Sequence, residues 1–214
     1  MPTIAPYFLT HVLDSFIAGC PKTRVFVHEN TTDQSLQLIE SGKLDLGIVS
    51  LPIRENGFET ETLFSEEMLL AIHPRHPLSQ KRQIFTDDLR SEKFILLQED
   101  HCLGNQVIGF CNQHDFHPRI VFECGQIATV QSLVEAGIGI SLIPQMAIKA
   151  FPTLIYRQLE PPRPKRTIAV VTRSKRHQKV AVQEFLKHLR QVGKTFNLPT
   201  TKNQLIQSLE NPKA

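Results

Sequence analysis

Of the four cysteines in this sequence (Cys20, Cys102, Cys111 and Cys124), two sit in a setting that could do chemistry. They are Cys102 and Cys111, within Asp100-His101-Cys102-Leu103-Gly104-Asn105-Gln106-Val107-Ile108-Gly109-Phe110-Cys111. Asp100 is a suitable N-cap, which puts Cys102 in the first turn of the helix that follows. Unpaired N–H groups and the helix dipole at that turn favour a thiolate, and His101 can add positive charge or a hydrogen bond. A thiolate so placed attacks a peroxide oxygen to give a sulfenic acid, which a second thiol converts to a disulfide. Cys20, just before Pro21, and Cys124, in an apolar strand, read instead as small packing residues. No C-x-x-C pair occurs, and neither His114 nor His117 belongs to a ligand cluster, so no metal and no cofactor is expected.

The bulk properties set the bounds. The chain has 214 residues, 41% hydrophobic and 21% charged, enough for one large domain or two small α/β lobes. A net charge of +3 is too small to argue for nucleic acid. The basic excess is local: nine Lys or Arg against one acid, Glu184, between Arg163 and Arg190. Such a run is a solvated face or a contact for a partner or acidic ligand. No apolar run approaches the roughly 18 residues of a membrane helix. Met1-Pro2-Thr3-Ile4 lacks the charged start and apolar core of a secretory signal, so a cytoplasmic location without membrane contact is expected.

Helical and strand periods alternate along the chain, which predicts an α/β fold with mostly parallel strands. Phe8, Leu9, Val12, Leu13, Phe16 and Ile17 recur at helical spacing, and Arg24 to His28 reads as a strand. Asp33 to Glu40 reads as a short helix capped by Thr32 or Asp33, with Gly42 past its end. Strands are expected at Leu46–Ser50, Leu69–Ile72, Phe94–Leu97, Ile120–Cys124, Ile140–Ile143 and Ile168–Thr172. Helices are expected at Thr86–Arg90, after Asp100, at Ile127–Ala136 and at Val180–Val192, ahead of a polar tail over 199–214.

Three stretches carry a resemblance: Ser41-Gly42-Lys43-Leu44-Asp45-Leu46-Gly47-Ile48, Met68-Leu69-Leu70-Ala71-Ile72-His73-Pro74, and Val134-Glu135-Ala136-Gly137-Ile138-Gly139-Ile140-Ser141-Leu142-Ile143-Pro144. In their order and spacing they resemble the effector domains of LysR-type transcriptional regulators. The His-Cys-Leu start and Gly-Phe-Cys end of the cysteine segment resemble the redox loop of the OxyR-type hydrogen peroxide sensors in that family. The resemblance implies two Rossmann-like lobes of the type II periplasmic-binding-protein kind. One comprises residues 1–66 plus 171–198 and the other residues 67–170, with the redox loop in the second. It implies a regulator rather than an enzyme, acting as a homodimer or tetramer. DNA would be read only through an N-terminal winged helix-turn-helix that this sequence lacks. The family's first strand, normally just before Pro2-Thr3, is also largely missing.

By the same resemblance Cys102 is the peroxide-reactive residue and Cys111 its resolving partner. Thr3 and Thr32 match hydroxyl positions that help to hold peroxide, and Arg166, in Lys165-Arg166-Thr167-Ile168, matches an arginine that supports the thiolate. Gly104 departs from the pattern, standing where relatives carry an arginine. On an unbroken helix nine residues rise about 13.5 Å and end on opposite faces. A disulfide needs Cα atoms within about 7 Å, so the segment must unwind before the pair can close. Gly104 and Gly109 lower that cost, each weakening a helix by roughly 1 kcal/mol. The alternative function is a LysR-type domain that binds a small organic effector in the cleft between lobes, with incidental cysteines.

Overall fold

The computed structural model describes residues 1–98, 102–148, 154–174 and 178–196. The expected tail over 199–214 lies outside them. The chain divides into two compact units, Met1–Ser65 with Thr167–Leu198, and Glu66–Arg166.

In the first unit a single π-helical turn, Ala5–Leu9, leads into α1 (Thr10–Gly19), and α2 spans Thr32–Glu40. Thr31, not Thr32 or Asp33, is the N-cap of α2. Its hydroxyl accepts from the Gln34 backbone N–H while the Gln34 side chain accepts from the Thr31 N–H, a capping box. The helix stops because Gly42 adopts φ 74°, letting the Gly42 and Lys43 N–H groups reach the carbonyls of Ile39 and Leu38. Strand β1 (Gly47–Leu51) pairs antiparallel with β7 (Lys165–Arg173), Val49 opposite Ala169. The long strand β2 (Phe58–Ile72) continues the sheet beside β7. Helix α5 (Val180–Phe196) buries Val182, Phe185, Leu186, Leu189 and Gly193, a stripe at helical spacing. It meets α1 through Phe185 on Phe16, centroids 4.8 Å apart and edge to face.

The second unit holds a sheet ordered β6 (Ile155–Arg157), β2, β5 (Ser141–Pro144), β3 (Lys93–Leu97) and β4 (Arg119–Cys124). The link between β3 and β5 is a parallel bridge, Phe94 to Ile140. Phe94, Ile95, Leu96 and Leu97 are all buried, as a strand covered on both faces requires. Two crossover helices connect the parallel strands: α3 (Cys102–Gln113) between β3 and β4, and α4 (Ile127–Glu135) between β4 and β5. Helix α4 ends in a second αL glycine, Gly137 at φ 74°, with Gly137 and Ile138 donating to Val134 and Leu133.

Two expectations are corrected here. Arg24 to His28 forms no strand: Phe26 is 79% exposed and Val27 50%, and no described strand lies alongside to accept their backbone groups. Nor are the strands mostly parallel. Among the described residues the β1–β7, β2–β5 and β2–β6 pairs are antiparallel, and β3–β4 is a parallel ladder. The parallel part is confined to the βαβ units, where a helix supplies the crossover. The local basic excess between Arg163 and Arg190 is largely matched on folding. Arg163, Arg166, Lys179, Lys187 and Arg190 pair with Glu67, Glu66, Asp45, Glu184 and Glu61.

Candidate functional site

Helix α3 begins just past the carboxyl end of β3, the usual place for reactive groups on a sheet with parallel strands. Cys102 is its first residue and is half-buried. The N–H groups of a helix's first turn have no intrahelical acceptor, so the local field there favours negative charge on sulfur. Asp100 and His101, the expected cap and helper, lie outside the described residues.

Cys111 has the opposite setting. It is 0% exposed, on the buried face of α3 with Leu103, Gly104, Val107 and Phe110. Burial pushes its thiol up from 9.0 to about 12, opposed by a weaker backbone hydrogen bond. It is therefore a neutral thiol at physiological pH, and a poor nucleophile while the helix is intact. The two cysteines belong to one continuous helix, so about 13.5 Å of rise and half a turn of rotation separate them. All four cysteines are thiols in this structure.

The sign of the pH dependence follows from the raised Cys111 value. Below about pH 9 the thiol is protonated whether the helix is closed or open, and pH has no effect through this group. Between 9.0 and about 12 the open form ionises and the closed form does not, so the closed form loses stability as pH rises. The wild-type advantage over Cys111→Ala in urea unfolding should be flat to about pH 8.5 and shrink above pH 9. In the native reduced protein, iodoacetamide at pH 8 should label Cys111 on the order of a hundredfold more slowly than the half-buried Cys20.

The far end of α3 is firmly held. Arg90 donates to the carbonyls of His114 (2.9 Å) and Asp115 (2.7 Å), and its guanidinium lies 5.5 Å from the centre of the Phe116 ring. His114 contacts the Phe110 carbonyl through Nδ1, and His117 the Asn112 side chain. Beneath the helix, between Leu97, Leu103, Val107, Ile127 and Val130, lies an apolar cavity of about 10 Å³. It has room for about one water molecule.

Arg166 is fully buried, and its Nε donates to Glu66 Oε1 at 2.7 Å. The other carboxylate oxygen of Glu66 accepts from the Met146 N–H, also at 2.7 Å. Glu66 was not foreseen from the sequence. The signal was there, since Phe64, Glu66 and Met68 are the inward positions of a period-two strand. Glu66 and Arg166 are the first and last residues of the second unit, so this pair joins the two points where the chain enters and leaves it. Cys102, Cys111 and Arg166 thus belong to the second unit. Thr3 and Thr32 belong to the first, with Thr3 2% exposed and the Thr32 hydroxyl 3.5 Å from Met1 Sδ.

Comparison with known proteins identifies the class. Residues 1–194 match the LysR substrate binding domain, and the chain belongs to that family, one of transcriptional regulators rather than enzymes. Within it, the chain is 35% identical over 176 residues to the hydrogen peroxide-inducible genes activator of Dickeya chrysanthemi, covering 81% of this chain and 58% of that protein. The same figures hold for the DNA-binding transcriptional dual regulator OxyR of Escherichia coli K12. The chain thus spans 58% of the length of these relatives. Its fold is similar to the crystal structure of the reduced form of OxyR, with a TM-score of 0.81 at 30% identity, covering 92% of this chain and 94% of that one. The periplasmic-binding-protein-like α/β class expected from the sequence is the one found.

Proposed function

We propose that this chain is the peroxide-sensing regulatory domain of a LysR-type transcriptional regulator, with Cys102 and Cys111 as its redox pair. The Cys102 thiolate attacks one oxygen of hydrogen peroxide and the O–O bond breaks. The departing hydroxide takes a proton and leaves as water, and Cys102 becomes a sulfenic acid. The Cys111 sulfur then attacks the Cys102 sulfur, the S–O bond breaks, and the Cys111 proton leaves with the hydroxyl as a second water. Two thiols have lost two electrons to one peroxide. The resemblance assigns Thr3 and Thr32 to holding peroxide, and His101 and Arg166 to supporting the thiolate.

The single observation that carries this reading is α3 itself. One helix bears a half-buried cysteine at its positive end and a buried, high-pKa cysteine nine residues on. The pair cannot join without unmaking the helix. A two-electron oxidation is thereby converted into a refolding of the segment between β3 and β4. That change alters packing between copies, as homodimer or tetramer, and re-aims DNA-binding domains carried elsewhere in the full-length cytoplasmic protein. The names of the relatives, peroxide-inducible activators, support the same signal.

The test uses Cys111→Ser. With no resolving thiol, peroxide should leave a sulfenic acid that dimedone traps on Cys102 within seconds to minutes. Wild type should close its disulfide and give little adduct. An adduct on Cys20 or Cys124, or none, contradicts the assignment.

A further inference from the structure

Helix α3 contains two glycines in opposite surroundings. Gly104 is buried in the first turn of the helix, and a Cβ there would overlap the carbonyl oxygen of Leu97, with Leu97 C at 3.2 Å and Gln98 O at 3.3 Å. The obstacle is main chain, and it is held. Leu97 is in parallel register with Cys124, and the Gln98 N–H donates to the Cys124 carbonyl at 3.0 Å. Gly109, five residues further along, has no atom within 4 Å of where its Cβ would be.

We propose that Gly104 sets the redox balance of the Cys102–Cys111 couple by allowing the helical dithiol form of α3 to dock against the end of β3. Gly109 tunes the couple in the opposite direction. The inference rests on the assignment of that pair made above. Helix propensity alone predicts that Gly→Ala favours the helical dithiol form by roughly fivefold at either position. At Gly109 nothing opposes this. At Gly104 the added methyl meets backbone that cannot swing aside as the tip of a long side chain would, so the steric effect decides the sign.

The disulfide form escapes the clash. Bringing Cα atoms nine residues apart to within about 7 Å unmakes the helix, and with it the close approach of residue 104 to Leu97. A side chain at 104 therefore penalises only the dithiol. Gly104 thus acts twice: it lowers helix propensity and permits the dock, and the dock is the larger effect. An arginine at this position of this chain would meet the same backbone as alanine, with its longer side chain to place as well.

The couple is read by equilibrating the protein with mixtures of dithiothreitol and its oxidised ring form. In that exchange two electrons and two protons pass from the reductant's thiols to Cys102 and Cys111. The reduced fraction is counted by alkylation and mass spectrometry. Gly104→Ala should move the equilibrium at least tenfold toward the disulfide, about 30 mV more negative for a two-electron couple. Gly109→Ala should move it roughly fivefold toward the dithiol. A shift of both variants in the same direction, or one below twofold for Gly104→Ala, overturns the proposal.

If wild type forms no Cys102–Cys111 disulfide at any ratio, the pair assignment fails and this inference goes with it. A wild type that does, beside an unshifted Gly104→Ala, sinks the inference alone. Should Gly104→Ala fold in neither state, hydrogen exchange on reduced wild type decides. Amides 106 and 107, the first with acceptors inside the helix, protected at least as well as 108–113 support the dock, and faster exchange at 106 and 107 overturns it.

Discussion

Cys102→Ser should abolish the fast reaction with peroxide, lowering the rate by on the order of a thousandfold or more. Nucleophilicity and access both depend on the Cys102 sulfur. A serine hydroxyl at the same helix terminus stays protonated, so the field that favours a thiolate has nothing to ionise. The other three thiols do not replace it. Cys111 is 0% exposed and held at a pKa of about 12, and Cys124 is 4% exposed with its thiol also raised by burial. Cys20 is half-buried where α1 ends and has no thiol partner within its own unit, so its oxidation leaves α3 unaltered. Stopped-flow mixing with micromolar peroxide, with alkylation to count the remaining thiols, measures the rate. A Cys102→Ser protein that still loses two thiols per peroxide at the wild-type rate would refute the role given to Cys102.

Arg166→Met should destabilise the second unit by about 3–5 kcal/mol, because it strands Glu66 as a buried, unpaired charge. Arg166 and Glu66 side chains are 0% and 6% exposed, so water cannot compensate either partner. A neutral pair should recover most of the loss: Glu66→Gln with Arg166→Met leaves an amide that still accepts from the Met146 N–H. Urea unfolding of the two single variants and the double yields the coupling directly. The redox state adds a second readout. The Glu66 pair predicts a stability loss whether Cys102 is a thiol or a disulfide. Support of the thiolate predicts slower peroxide reaction even in the stabilised double variant. An Arg166→Met protein as stable as wild type would mean that the pair contributes no stability.

What could be read from the sequence, and what could not, divides along physical lines. Helix α3 was legible because Leu103, Val107, Phe110 and Cys111 repeat at i, i+4, i+7 and i+8, and those are buried positions. The place of Cys102 in its first turn was legible too, because helix starts are local features. The cap of α2 was within reach but misplaced by one residue. Thr31 and Thr32 both suit the position, and only Gln34, three residues after Thr31, closes a capping box. Val25, Phe26 and Val27 are a run of β-favouring residues that reads like a strand, but a strand exists only when another pairs with it, and no local pattern supplies that neighbour. The three residues of β6 are too few to show a period. Strand direction is likewise a long-range property: β7 lies against β1 from some 120 residues away. The Glu66–Arg166 pair spans 100 residues and depends on the whole unit being folded.

The central claim is that Cys102 and Cys111 form a peroxide-driven couple, and one titration tests it most directly. Reduced protein receives one equivalent of hydrogen peroxide, free thiols are blocked, and the cysteines are mapped by peptide mass spectrometry. The account predicts a Cys102–Cys111 disulfide formed rapidly at micromolar peroxide, with Cys20 and Cys124 still thiols. Cys102 and Cys111 both remaining reduced, or a disulfide joining a different pair, would contradict it.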